Sequence, residues 1–228
     1  MAELTINWET LSTVPQPEKA AVGPVVTSET SSAPADDAVP ADKTPAARAG
    51  SDKPYFIYVT DGTNAGSTGI DTVEKVILDD DRVKLGSHAF HAVKMTPDDA
   101  KADPLLADKG GKDVPRIIYV TADLTTVKAL EGGALKLGEV WSTMKATANR
   151  FYKQDLDGVV KDLKSVLIEL DKVNNERKVL DDKEKRLAGK ANAADTKDIA
   201  AKRAELESRE KKAMDKKTAL WELKTKTA

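Results

Sequence analysis

Thiol chemistry is closed to this chain. Disulfide exchange, thiolate attack and zinc–thiolate binding all need cysteine, and the sequence has none. Other polar clusters must carry any reaction. The loop Thr63-Asn-Ala-Gly-Ser-Thr-Gly69 follows an Asp61-Gly62 turn. Ser67 is its nearest approach to a nucleophile, but an alcohol needs a positioned base, and no histidine lies close in sequence. Gly62, Gly66 and Gly69 would suit a phosphate cradle. No Gly-Lys-Ser/Thr accompanies them, and their spacing departs from the dinucleotide fingerprint. His88 and His91, the two histidines, are three apart. On a strand they face opposite sides, on a helical turn one side, and a third metal ligand is missing either way. Asp79-Asp80-Asp81 and Asp98-Asp99 lack the alternating oxygens, glycine and terminal glutamate of a calcium loop. They read as helix-end and N-cap residues. The expectation is a protein with no catalytic residue, no metal and no cofactor.

The elements around these clusters follow from hydrophobic periodicity. Tyr55-Phe-Ile-Tyr-Val59 is a β-branched and aromatic run and predicts a buried strand. Asp71 is placed to cap a helix through Val73, Val76 and Ile77, ended by Asp79–Asp81. Phe90–Met95 predicts a second strand. Pro97-Asp98-Asp99 opens a short helix that would carry Leu105 and Leu106, broken at Gly110-Gly111. Asp113-Val-Pro-Arg-Ile-Ile-Tyr-Val120 predicts a third strand, entered through Val114-Pro115. Proline cannot donate to a ladder but fits the first position of a strand, and X-Pro is the usual place for a cis peptide. Thr126–Leu130, a Gly132-Gly133 turn and a helix from about Gly138 with Val140, Trp141 and Met144 complete the region.

That succession resembles the thioredoxin-like family over residues 53–150. In that family a strand leads to a Cys-x-x-Cys loop and a helix, and a later strand with a cis-proline faces the cysteines. Val73-Glu74-Lys75-Val76 looks like the helix after the motif, which puts the cysteine slots at Ser67-Thr68-Gly69-Ile70. Val114-Pro115 matches the cis-proline position. The resemblance implies an α/β fold, a thioredoxin-like central sheet with flanking helices. With both cysteine slots filled by other residues, it also implies redox inactivity.

Two regions flank it. Residues 1–52 hold most of the prolines, mixed with Ala, Ser, Thr and Asp, a composition expected to form an extended tether. One island differs: Leu4, Ile6 and Trp8 alternate and would show one apolar face. Trp8 suits either a partner's groove or the chain's own body. From 151 to 228, Leu156, Val159, Leu163, Val166, Leu170 and Val173 alternate steps of three and four, a heptad seam that weakens through Leu180 and Leu187 with Arg177 and Glu184 between. Gly189 and Asn192 interrupt it. Asp195 then caps a helix with Ile199, Leu206, Ala213 and Leu220 seven apart. A short connection favours a long antiparallel hairpin, with an interchain coiled coil as the alternative.

The formal net charge is −2, from 36 basic and 38 acidic residues. Residues 161–228 carry 19 Lys/Arg and 14 Asp/Glu, so the remainder is acidic. Basic residues of the tail are interleaved with acids and have little aromatic company, which argues against nucleic acid. The chain shows neither an apolar run of membrane-spanning length nor a signal-peptide pattern at its start. A cytoplasmic protein, or one packaged in a cytoplasmic or viral assembly, is expected. The functional expectation is a structural or adaptor component that binds protein partners, or itself, through Ile6, Trp8 and the seam residues. The alternative is a redox-inactive peptide-binding or chaperone-like factor using the edge beside Pro115.

Overall fold

The computed structural model describes residues 4–10, 52–61, 68–187 and 193–226. Most of the proline-rich arm, Gly62, Gly66, Ser67, Gly189 and Asn192 lie outside them. Four five-residue strands build a mixed sheet: β2 (Tyr55–Val59), β3 (His91–Met95), β4 (Arg116–Val120) and β5 (Val127–Glu131). A two-residue strand, β1 (Glu9–Thr10), adds to one edge, giving the order β1-β3-β2-β4-β5. β3 is parallel to both β1 and β2. β4 is antiparallel to β2 and to β5.

The period of two sorts the strand side chains between two cores. Phe56, Tyr58, Ile117, Tyr119 and Leu130 face one side; Tyr55, Ile57, Val59, Ile118 and Val120 face the other. Because both faces are covered, β2 and β4 are buried along their whole length and read as unbroken apolar runs rather than alternating ones.

The larger core is closed by helices. α1 (Thr68–Thr72) runs into a π-helical turn (Val73–Ile77) that buries Val73 and Ile77. Asp71 does not cap it: the helix begins three residues earlier, and Asp71 pairs instead with Lys75. The helix does end just before Asp79, at the C-cap Leu78, but the aspartates also begin another. Asp80 accepts from the Arg82 amide at 2.9 Å and starts α2 (Asp81–Ser87). This helix was not expected, since its buried Val83 and Leu85 are spaced as on a strand. Gly86 lets it approach α4 (Leu137–Phe151): a Cβ there would sit 2.7 Å from Met144 Sδ. α4 starts within a residue of its expected position. Its backbone is tied to the sheet where the Tyr119 hydroxyl donates to the Val140 carbonyl at 3.0 Å.

On the other face, α3 (Pro97–Ala102) opens with a reciprocal capping box between Thr96 and Asp99. It does not reach Leu105 and Leu106. Pro104 forces Asp103 into an extended conformation, ending the helix, and the Asp103 carboxylate then accepts from the Leu105 amide at 2.8 Å. Leu106 fills the smaller core from that turn.

α5 (Leu156–Leu187) and α6 (Ala193–Trp221) form a hairpin within the chain. α6 begins two residues before Asp195, which lies in its first turn rather than at its cap. The helices are antiparallel: Glu169 in the first half of α5 pairs with Arg209, and Glu184 near its end with the earlier Arg203. At 1.5 Å per residue α5 is about 48 Å long. Its first turns belong to the main core, where Leu156, Val159, Val160 and Leu163 join the sheet-side cluster. Apolar packing therefore continues across residue 150. Farther out, Val173, Leu180, Ile199 and Leu206 make a separate small core. Among the described residues no helix is long and apolar enough to cross a membrane.

Candidate functional site

The Val114–Pro115 peptide is cis, and Pro115 delivers the chain into β4. Opposite it stands the first turn of α1. A Cβ on Gly69 would lie 3.6 Å from Pro115 Cδ, at van der Waals distance, so Gly69 and the proline ring are neighbours. Gly69, one of the four nominated slot residues, and the cis-proline are thus brought together. They border a cleft of about 760 Å³, lined by Gly69, Thr72, Val73, residues 112–115, Gly132 and Leu135. Ile70 turns inward instead and is buried in the protein. Thr68 opens α1, and Ser67 lies outside the described residues.

Glu131 shapes the rim. Its Oε2 accepts from the amides of Lys112 (2.8 Å) and Asp113 (3.0 Å), which hold its carboxyl below the ordinary glutamate range. Gly111 has φ +78°, and a Cβ there would collide with the same oxygen. Arg116, buried at the start of β4, donates from Nη1 to the Asp113 carbonyl at 3.1 Å. Burial pulls its pKa down against the opposing pull of Glu131 and Asp113. The rim is fixed, its floor is apolar at Val73, Val114, Pro115 and Leu135, and Lys112 and Asp113 give it polar edges. Among the described residues lining it there is neither a histidine nor a serine.

The two histidines sit in different surroundings. His88 ends α2, its ring 4.3 Å from Trp221 of α6. Desolvation, then Lys53 and Lys217, lower its pKa. His91 opens β3. Its Nδ1 lies 3.1 Å from Glu9 and its Nε2 3.0 Å from Asp52, and its hydrogen bond holds the Asp52 carboxyl below its usual range. The sequence did not reveal this cluster, because Glu9 and Asp52 are 82 and 39 residues away from His91.

The nominated contact residues are occupied within the chain. Leu156, Val159 and Leu163 are buried in the main core, and Val173, Ile199 and Leu206 in the hairpin core. Val166 is buried, Leu170 and Leu220 half-buried. Ile6 and Trp8 pack on the body, where Trp8 stacks on Phe56 at 5.6 Å. Of the two destinations read for Trp8, the described segment takes the chain's own sheet. Comparison of the chain with protein-family models, with curated proteins and with solved structures returned no match.

Proposed function

We propose that this chain is a non-enzymatic protein-binding component: a thioredoxin-like body without thiols, carried on a helical hairpin, whose cleft beside Val114–Pro115 holds an extended segment of a partner protein. The observation that carries this reading is the openness of that cleft. Its lining comes from α1, the π-turn, the 112–115 loop and residues 132–135, with no contribution among the described residues from segment 4–10 or from the hairpin. The succession β2, α1, β3, proline-led β4, β5, α4 supports the thioredoxin-like reading, since it follows the family's order through the slot where cysteines would stand. A fixed backbone rim with an apolar floor suits recognition of an extended chain by alternate side chains.

The hairpin supports the adaptor side of the reading. Its outer half holds its own core, and Val179 and Ile168 remain exposed on it at 69% and 55%. The test is a titration of ¹⁵N-labelled full chain with short unstructured peptides that are apolar at alternate positions. Amide shifts are expected at Gly69, Val73 and residues 112–115, and Val114→Arg should abolish them. Val114 is partly exposed, so that change blocks the cleft without opening a core. An absence of shifts at the cleft with millimolar peptide overturns peptide binding there. Partner capture that survives Val114→Arg but is lost with Val179→Glu assigns binding to the hairpin instead.

A further inference from the structure

Residues 4–10 lie on the body as a ligand would. Leu4, Ile6 and Trp8 are half-buried against the main core, while Thr5 and Asn7 between them are exposed. The Trp8 ring sits 5.6 Å from Phe56 and 6.0 Å from Tyr58. Glu9 and Thr10 pair with Val93 and Lys94 of β3, and the Glu9 carboxylate meets His91. The segment lying there is extended, with the pattern apolar-x-apolar-x-aromatic-acid. Among the described residues its ladder to the sheet is these two residues, with Leu4, Ile6 and Trp8 packing alongside.

The connection to the body is far longer than this placement needs. Glu9 and Asp52 both reach the imidazole of His91, so the two ends of the intervening stretch lie side by side. Residues 11–51 nevertheless supply forty-one residues between them. At 3.3–3.6 Å per residue that is a contour of roughly 140 Å. A contour of that length also reaches the same groove on a neighbouring copy.

We propose that residues 4–10 are an exchangeable docking strand, and that the groove formed by the β3 edge, Phe56 and Tyr58 receives the same segment from a second copy of this chain. The partner is specified by the groove's own complementarity, which the segment's alternate apolar residues, Trp8 and Glu9 already satisfy. A tethered segment has an effective concentration on the order of 1 mM, so the strand stays on its own body in dilute solution and exchanges when copies are concentrated or held together. This inference does not depend on the cleft beside Pro115, whose lining shares no residue with the groove.

The chain has no cysteine, so single thiols can report the exchange directly. Full-length Thr10→Cys and Lys94→Cys variants, one carrying a mass label, are mixed and oxidised with copper–phenanthroline; these positions are register partners. The expected result is a mixed disulfide dimer that grows as total protein rises from micromolar toward about 1 mM, the range set by the effective concentration of a tethered strand. A synthetic peptide of residues 1–12 should suppress it, and Trp8→Ala in the Thr10→Cys chain should reduce it to the level of the two symmetric dimers. The proposal is overturned if the mixed dimer never exceeds those symmetric dimers while a Thr10→Cys/Lys94→Cys double variant closes its intrachain link. It is equally overturned if the mixed dimer forms undiminished in the presence of Trp8→Ala or the peptide.

Discussion

The carboxylate of Glu131 accepts two backbone N–H groups, and those bonds hold residues 112 and 113 in the turn that leads to Val114 and Pro115. Amide donors on a carboxylate favour its ionised form, so its pKa lies below the ordinary glutamate range. The sign follows directly: the contribution is complete above the ordinary range near 4.5 and is lost as pH falls through the lower folded value. Glu131→Ala should cost about 1 kcal/mol, since the freed amides are close to water and recover part of the loss. Hydrogen exchange should rise at residues 111–114 while the amides of β2 and β4 stay protected. Unchanged exchange in that loop would remove Glu131 from the shaping of the cleft. Of this site, the sequence disclosed Val114-Pro115, because proline acts on its own backbone, and Gly69 as a slot counted back from Val73-Glu74-Lys75-Val76. Glu131 was not visible. A glutamate at a strand end looks solvated until the partner loop, 18 and 19 residues away, is folded against it.

At the scale of elements, legibility tracked the range of the deciding interaction. β2 matches its apolar run, and β3, β4 and β5 were found to within a few residues, because local side-chain period is the signal. α5 ran to within a residue of expectation for the same reason. α2 was missed because its apolar pair Val83 and Leu85 follows no helical spacing; its cap at Asp80 and its fit to α4 through Gly86 decide it. The weakening of the seam at Arg177 and Glu184 also has an explanation that only the folded pair gives. Arg177 bonds Glu210 at 2.5 Å, and Glu184 receives Arg203 at 2.6 Å, so charged slots on α5 are answered by opposite charges on α6. Arg209 adds a bridge to Glu169 (2.7 Å) and Glu176 (2.9 Å). Its hydrogen bond lowers the Glu176 pKa, as Arg177 lowers that of Glu210. Such lowered carboxylates stabilise above their ordinary range and cease to do so as pH falls through their folded values. The outer hairpin should therefore loosen before the sheet as pH falls below the ordinary glutamate range, and in high salt at neutral pH, because exposed ion pairs are screened. Amide exchange resolved by residue checks this. Equal acceleration in β2 and in residues 173–206 would show that the ion pairs do not set the hairpin's local stability.

Across the whole molecule, the C-terminal end of the hairpin is stitched back to its root. The Lys153 amide donates to the Lys224 carbonyl, and the Lys226 amide to the Phe151 carbonyl, both at 2.8 Å. Beside this strap Trp221 packs on the main core and faces His88 at 4.3 Å, so the last turn of α6 closes on α2. Trp221 is partly exposed, so truncating it removes less burial than truncating a core aromatic would. Trp221→Ala should then cost about 2 kcal/mol, or roughly 4–8 °C in Tm for a chain of this size. Protonation acts on the same joint. Desolvation, Lys53 and Lys217 make the folded His88 harder to protonate than the free side chain near 6.5. Between its folded pKa and 6.5 the unfolded chain thus binds more protons, and stability rises with pH through that window. The contribution is complete above 6.5 and declines as pH falls below it. Thermal melts from pH 7.5 down to 5 should show this decline in the native chain, a smaller one in Trp221→Ala, where the ring no longer covers the imidazole, and none of the His88 share in His88→Gln. If all three chains lose stability in parallel over that range, His88 plays no part in holding the hairpin to the body.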